Sequence, residues 1–173
     1  MAGKGGEKQT APAAKKSSVF NTAAKAAGLI ALPGKEAVEG SYRAQIVVAN
    51  GWQFSGSVDL DNHFNTAEPH SNRWDYGIGM SAPNGQELVC WVEPHSASSP
   101  RHVDEMLAKL AWLKSKLDTP TFKKLKAMTD VTGRPFYWLR TLNGQCRITA
   151  HGKGAKLLAK NGLRSPAQHL TLP

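Results

Sequence analysis

The sequence predicts an α+β fold in which an antiparallel or mixed sheet, built as a strand meander, carries a long amphipathic helix on one face. Strand-like segments between residues 42 and 92 follow one another through short turn sequences, which favours antiparallel neighbours. Apolar residues recur at helical spacing between residues 102 and 117. Hydrophobic residues make up 40% of the 173 positions, which is enough to form a core between the sheet and the helix.

The chain begins with residues 1–17, which are rich in Gly, Ala and Lys and show no periodicity. We expect a flexible basic tail there and a single α+β domain over residues 18–173. Ser18 is a favourable N-cap residue and Gly28 a favourable helix end, so a short first helix is predicted over residues 19–27.

Four strands are predicted next, over residues 42–49, 52–60, 73–80 and 87–92, because these segments are rich in β-branched and aromatic residues. Asn50-Gly51 is a strong hairpin signal and predicts that the first two strands pair with each other. The last strand is an unbroken apolar run, which is typical of a central strand buried on both faces.

The long helix is predicted over residues 102–117 and is followed by a shorter one over residues 121–128. The apolar stripe of the long helix repeats at spacings of 3, 4, 3 and 4 and consists of Val103, Met106, Leu110, Leu113 and Leu117. Pro120 ends this helix, and Phe122 and Leu125 form the inward side of the second one.

The C-terminal part predicts a strand over residues 136–141 and a second hairpin at Asn143-Gly144, with residues 146–150 as its partner strand. A helix over residues 154–160 and a small edge strand over residues 169–172 complete the pattern. The predicted elements therefore follow one another as an antiparallel meander, a helical segment and further strands. This order is typical of an α+β fold.

The net charge of +9 conceals a separation of sign along the chain. Residues 1–40 carry +3, residues 41–108 carry −5, and residues 109–164 carry 13 basic against two acidic residues, or +11. A simple phosphate-binding module has little use for concentrated carboxylates, whereas a metal-dependent enzyme acting on phosphates needs both signs. The alternative is that the acidic residues are spread over solvated faces.

Several classes of protein are disfavoured by composition. Because no run of 18 apolar residues exists, no transmembrane helix is expected, and the first residues lack the apolar region of a signal peptide. Cys90 and Cys146 are too few for a disulfide framework, which favours a reducing, cytoplasmic location. The basic balance predicts nucleic acid, DNA or RNA, as the partner, with no membrane association.

The candidate catalytic residues are Asp75, Glu93 and His95. Asp75 lies in one predicted strand and Glu93 at the end of the next, so antiparallel pairing would bring the two carboxylates side by side. His95 follows Glu93 by two positions and would point to the same face. Asp75 and Glu93 would be ligands of a hard cation such as Mg²⁺, and His95 would position or deprotonate an attacking water.

This arrangement, Asp75 in Arg-Trp-Asp-Tyr and Glu93-Pro94-His95 on the following strand, resembles the PD-(D/E)xK nuclease superfamily over roughly residues 41–150. The resemblance implies a restriction-endonuclease-like core and a Mg²⁺-dependent hydrolase that cuts phosphodiester bonds in nucleic acid. His95 stands where the family has a lysine. A histidine with an ordinary pKa of about 6.5 is mostly neutral at pH 7 and stabilises negative charge less well than lysine does.

The basic C-terminal half supplies the residues predicted to hold phosphates. Lys109 and Lys116 are seven positions apart and therefore share one face of the long helix. The complete set of predicted nucleic-acid-binding residues is Lys109, Lys116, Lys123, Lys124, Lys126, Arg140, Arg147, Lys153 and Lys156.

Structural roles are the alternative for each candidate. Asp75 would then pair with Arg73, Glu93 would mark a strand end facing water, and His95 would bond to backbone. Asp59-x-Asp61-x-His63 is a weaker candidate, either a cation site on one strand face or a solvated edge with turn residues.

Two further functions stay open for the whole chain. One is a non-catalytic nucleic-acid-binding or accessory protein with the same fold. The other is a protein-interaction module of the adaptor or immunity type, in which the basic surface meets an acidic protein partner.

Overall fold

A computed structural model describes residues 18–142 and 145–173 of the chain. The predicted basic tail, residues 1–17, and the predicted turn at Asn143-Gly144 lie outside the described residues. The helices are α1 (Val19–Ala26), α2 (Gly40–Arg43), α3 (Leu60–Phe64), α4 (Arg101–Leu117), α5 (Lys123–Asp130) and α6 (Lys153–Lys160). The strands are β1 (Ile46–Val48), β2 (Gln53–Asp59), β3 (Tyr76–Ser81), β4 (Glu87–His95), β5 (Phe136–Arg140) and β6 (Leu170–Leu172).

The main sheet has the strand order β2-β3-β4-β5. The β2, β3 and β4 strands form the predicted antiparallel meander, whereas β5 pairs parallel with β4. The parallel pair arises because α4 and α5 carry the chain back along the sheet before β5 begins, as a parallel connection requires. The α+β fold class with a mixed sheet is therefore confirmed.

The sheet is buried on both faces, as the apolar run in β4 predicts. Side chains of β4 alternate between two cores: Val89 and Trp91 pack with the helices, and Leu88, Cys90 and Val92 pack on the opposite face. The first core contains the buried residues of α1, α4, α5 and α6, and the second contains those of β1 and β6. The chain therefore forms three layers with the main sheet in the middle.

The helices agree closely with their sequence patterns. The five buried residues of α4 are Val103, Met106, Leu110, Leu113 and Leu117, the five members of the predicted stripe. The Ser18 hydroxyl accepts a hydrogen bond from Asn21 N at 3.0 Å and caps α1, and Gly28 follows the helix with a φ of +79°. Within the described part of the chain, no helix is long and apolar enough to cross a membrane.

The first predicted hairpin is wrong. Residues 40–43 form α2 instead of a strand, and β1 pairs parallel with β6 rather than with β2. A turn does form at Asn50-Gly51, since Trp52 N donates to Ala49 O at 3.1 Å and Gly51 has a φ of +82°. The turn sequence specifies only this local reversal. The partner of β1 is selected by burial, because Ile46 packs with β6 in the second core.

The second predicted hairpin partner is also wrong, since residues 146–150 are described and do not form a strand. The free edge of β5 is covered instead by the segment after α6, through parallel bridges from Phe136 to Leu163 and from Leu139 to Ala167. The segment around Arg147 lies against the end of β4, where Arg147 N donates to Ala97 O at 2.9 Å.

Candidate functional site

Asp75 lies immediately before β3, which begins at Tyr76, and not inside a strand as predicted. Its carbonyl oxygen accepts a hydrogen bond from Leu60 N at 2.7 Å. This bond holds the backbone just before β3 against the first residue of α3. Its amide donates to Glu93 Oε2 at 2.8 Å. The structure therefore brings Asp75 and Glu93 together, as the strand order predicts.

Glu93 lies near the end of β4, on the face that carries Trp91, and its side chain is wholly buried. Pairing of β4 with β3 stops at Val92, so the last residues of β4 have a strand neighbour only on the β5 side. Trp91 N donates to Pro135 O toward β5, and backbone N–H directions alternate along a strand. The nitrogen of Pro94 therefore points away from β5, toward the side on which this part of β4 has no strand neighbour. The missing N–H of proline costs no sheet hydrogen bond there.

Lys109 of α4 completes a cluster with the two acids. Its Nζ lies 2.5 Å from Glu93 Oε1, 3.3 Å from Asp75 Oδ1 and 2.8 Å from the carbonyl oxygen of Arg73. We call Asp75, Glu93 and Lys109 the carboxylate–lysine cluster. Lys109 was predicted to contact phosphate, and the structure places its ammonium between the two carboxylates.

Burial controls the protonation of this cluster. Burial raises the pKa of the Glu93 carboxyl well above its usual range, and the charge of Asp75 adds to the effect. Burial also raises the pKa of Asp75, against the attraction of Lys109. For Lys109, burial acts to lower the pKa, but Glu93 and Asp75 outweigh it and the pKa is raised. Lys109 therefore stays protonated. The Asp75 and Glu93 carboxyls share this one cation as their counter-charge.

His95 points to the same face as Glu93 but contacts a different turn of α4. Its Nε2 lies 3.3 Å from Glu105 Oε2, its Nδ1 lies 2.9 Å from the Ser96 carbonyl oxygen, and its ring meets the His102 ring edge-on at 5.1 Å. Glu105 precedes Lys109 by four residues, so the two contacts lie one helical turn apart. His95 therefore sits beside the carboxylate–lysine cluster, with Glu105 as its carboxylate partner.

The polar side of α4 continues beyond Lys109. Trp112 Nε1 donates to Glu68 Oε2 at 2.7 Å, and the Lys116 ammonium pairs with the other carboxylate oxygen of Glu68. These two donors lower the pKa of Glu68. We call this row the polar stripe of α4; it consists of Glu105, Lys109, Trp112 and Lys116. Lys109 and Lys116 do share one face as predicted, and each is engaged by a carboxylate.

Asp61 and Arg73 tie the loop before β3 to α3. Arg73 Nε donates to Asp61 Oδ1 at 2.8 Å, so Arg73 pairs with Asp61 rather than with Asp75. The Asp59 carboxylate accepts from Asn62 N at 2.8 Å and caps α3. Because residues 60–64 are helical, Asp59, Asp61 and His63 do not lie along one strand face.

The other predicted phosphate-binding residues divide into two groups. Lys126 lies between Asp130, at 3.2 Å, and Asp118, at 3.7 Å, and Arg140 Nη2 donates to Gln168 Oε1 at 3.1 Å. The exposed members are Lys123, Lys124, Arg147, Lys153 and Lys156.

Arg147, Lys153 and Lys156 form what we call the α6 basic group, which lies near the start of α4 and the segment that follows β4. The backbone of Arg147 is bonded to Ala97, two residues beyond β4. The start of α6 is equally close to α4, since a Cβ on Gly154 would lie 3.1 Å from Val103 Cγ2. Lys123 and Lys124 begin α5 and follow the far end of α4.

The donor set of the cluster fits a hard divalent cation bound through two carboxylates. Mg²⁺ is commonly held by one or two carboxylates, with waters and substrate phosphates completing its shell. The side chains of Asp75 and Lys109 are 24% and 21% exposed, whereas that of Glu93 is wholly buried, so the cluster meets solvent through Asp75 and Lys109. Among residues 18–142 and 145–173, no group of three or more His, Cys, Asp or Glu side chains could hold a metal ion.

The position of Lys109 in the cluster was missed at the level of sequence, although a signal exists. Lys109 lies beside the apolar stripe, one residue before Leu110 and three after Met106. A lysine at this border of an amphipathic helix packs its stem against the core and directs its ammonium along the sheet. A carboxylate on the strand below is then its natural partner.

A scan against protein-family models, a search of curated proteins and a search of solved structures found no match to this chain. Its function is therefore inferred from the chemistry of the carboxylate–lysine cluster and the charges around it.

Proposed function

We propose that the protein is a metal-dependent, nuclease-like hydrolase of phosphodiester bonds in nucleic acid. The proposal is carried by one observation: Asp75 and Glu93 approach each other at the end of β4 with the Lys109 ammonium between them. The exposed α6 basic group, which lies near the start of α4, supplies further positive charge. Paired carboxylates for a cation and fixed cations for a phosphate are the groups that phosphoryl hydrolysis requires.

Each residue of the site has a distinct proposed role. Asp75 and Glu93 would hold Mg²⁺, which when bound polarises a phosphate oxygen and lowers the pKa of a bound water. Lys109 would neutralise charge that develops on the phosphate, which is the contribution that His95 makes poorly. His95, held by Glu105, would orient or deprotonate the attacking water.

The decisive test is a Mg²⁺-dependent cleavage assay on DNA and on RNA with Asp75→Asn and Glu93→Gln, which keep the side-chain shape and remove the charge. Each substitution is expected to lower the cleavage rate at least about 100-fold, the usual cost of losing one preorganised electrostatic group. Lys25→Met, at an exposed position on α1, is the matched control and should cleave normally. Cleavage by purified protein that survives both acid substitutions would contradict the proposal.

A nucleic-acid-binding protein that does not cut is the second candidate. It is favoured by the Lys109 ammonium, which stands among the oxygens that a metal would use. This candidate predicts binding that weakens steeply with salt, together with no cleavage in Mg²⁺ or Mn²⁺. Binding that is indifferent to salt would count against it.

A further inference from the structure

The Lys109 ammonium is surrounded by three oxygens of different origin. Glu93 Oε1 lies at 2.5 Å, the Arg73 carbonyl oxygen at 2.8 Å and Asp75 Oδ1 at 3.3 Å. The ammonium donates hydrogen bonds to the Arg73 carbonyl oxygen and to Asp75 Oδ1, whereas its contact with the buried Glu93 Oε1 is an ion pair without a hydrogen bond. Carboxylate and carbonyl oxygens are also the ligands that a hard divalent cation takes. Lys109 thus occupies the position that such a cation would take.

The surroundings determine where the ammonium can go if it leaves. The lysine side chain is long and flexible, and 21% of it is exposed, so the ammonium can turn toward solvent without movement of α4. The neighbouring carboxylates along the polar stripe of α4 are already engaged, Glu105 by His95 and Glu68 by Lys116. A phosphate entering from solvent is then the anion best placed to receive the ammonium.

We infer that Lys109 is a built-in competitor of the divalent cation, and that the cation binds tightly only when a substrate phosphate receives the displaced ammonium. A divalent ion and an ammonium among the same oxygens repel each other, so the two exclude one another. Because binding free energies are reciprocal, metal and phosphate then strengthen each other's binding. This inference rests on the proposed function of the same site and adds an order of events to it.

The test is a calorimetric titration with Mg²⁺ alone, comparing the natural protein with Lys109→Met and with Lys25→Met, an exposed lysine of α1, as the matched control. Lys109→Met is expected to bind Mg²⁺ at least about ten-fold more tightly than the natural protein because the competing charge is gone, and Lys25→Met to bind like the natural protein. The double variant Asp75→Asn/Lys109→Met should lose the gain, which locates the ion. A phosphorothioate oligonucleotide should tighten Mg²⁺ binding by the natural protein far more than by Lys109→Met.

A second measurement does not depend on the folding of any variant. In the natural protein the ¹⁵Nζ–H signal of Lys109, assigned through its side-chain carbons, should report a hydrogen-bonded ammonium protected from exchange. Saturating Mg²⁺ with the oligonucleotide should shift this signal, and an unchanged signal would overturn the inference.

The outcomes separate this inference from the proposed function. Equal Mg²⁺ affinity in the natural protein and in a folded Lys109→Met variant would overturn the competition and leave metal-dependent cleavage intact. No Mg²⁺ binding by any form, with or without the oligonucleotide, would overturn both.

Discussion

Glu93 is a carboxylate that the fold removes from water while providing one ammonium and one backbone donor. A buried ionised group is expensive unless such partners are present, and here they are Lys109 Nζ and Asp75 N. Since a second carboxylate lies beside it, the compensation is incomplete and the pKa of Glu93 is raised. A pKa perturbed by burial and by specific charge partners is a feature that functional sites share with structural ion-pair networks.

The raised pKa of Glu93 predicts a pH-dependent cost to stability. The folded state holds the Glu93 proton more tightly than the unfolded state does, so its favourable contribution is complete below the usual glutamate pKa of about 4.3 and is lost as pH rises through the folded pKa. The free energy of unfolding of the natural protein, relative to that of Glu93→Gln, should therefore fall as pH rises from about 4.3 toward the raised pKa of folded Glu93, by at most about 1.4 kcal/mol per pH unit.

Urea unfolding of both proteins across this range measures the effect. Glu36→Gln is the control, because its exposed carboxylate stays in water in both states. A difference between the natural protein and Glu93→Gln that does not change with pH would contradict the expectation.

The close approach of Asp75 and Glu93 was predictable from the sequence, whereas their contact with Lys109 was not. The approach of Asp75 to Glu93 depends on two consecutive strands joined by a short turn. Such a turn leaves few possible pairing registers for the two strands. The contact with Lys109 depends on how α4 crosses the sheet, which is set by packing of the whole apolar stripe. The position of Lys109 at the border of the stripe indicates a partner on the sheet but does not identify which carboxylate the crossing brings to it.

At the scale of elements, two glycines of β3, Gly77 and Gly79, lie where the side chains of Trp91 and Phe20 pack closely against the strand. A Cβ on Gly79 would lie 2.3 Å from Phe20 Cγ, and a Cβ on Gly77 would lie 2.6 Å from Trp91 Cζ3. Phe20 is the residue through which α1 packs on the sheet, and it is fully buried. The missing side chains of β3 therefore allow α1 to lie close to the backbone of the sheet.

Gly79→Ala is expected to destabilise the protein by about 1–3 kcal/mol, the usual cost of overpacking a core, because the Phe20 ring has to move. Gly133→Ala is the matched control, since a Cβ there meets no atom within 4 Å. Thermal or urea unfolding of the two variants measures the difference. Equal stability of the two would show that α1 does not depend on this contact.

Helices were predicted more accurately than strand partners for a physical reason. The stripe of α4 is contained in one segment, so its periodicity is complete evidence for the helix. Pairing of β1 requires a second segment, and its partner β6 lies more than 120 residues away. The Asn50-Gly51 turn carries no information about such a distant segment.

At the scale of the molecule, two basic groups lie near opposite ends of α4, and the carboxylate–lysine cluster contacts the helix between them. The α6 basic group lies near the start of α4, Lys123 and Lys124 follow its end, and Lys109 is the ninth of its 17 residues. Distance along the helix axis therefore does not separate the two groups. We expect a nucleic acid at the carboxylates to meet the α6 basic group, because Arg147 N is bonded to Ala97 O, four residues after Glu93.

The pair Lys153→Glu/Lys156→Glu should therefore weaken nucleic-acid binding and reduce the slope of log affinity against log salt by about 2, roughly one per lost phosphate contact. The pair Lys123→Glu/Lys124→Glu changes the net charge equally and is the control. Fluorescence anisotropy over a salt series measures both slopes. Equal losses in the two pairs would indicate that only net charge matters and that α6 does not contact the ligand.

The last three residues of β4 extend past the end of β3, and this unpaired stretch of strand edge affects self-association. An uncovered strand edge can recruit a strand from another copy and start aggregation. Here this stretch presents Pro94, which has no N–H to offer, and the nearby amide of Asp75 is already taken by the Glu93 carboxylate. A strand from another copy therefore finds few free backbone donors at this edge, which disfavours edge-to-edge association beside the carboxylate–lysine cluster.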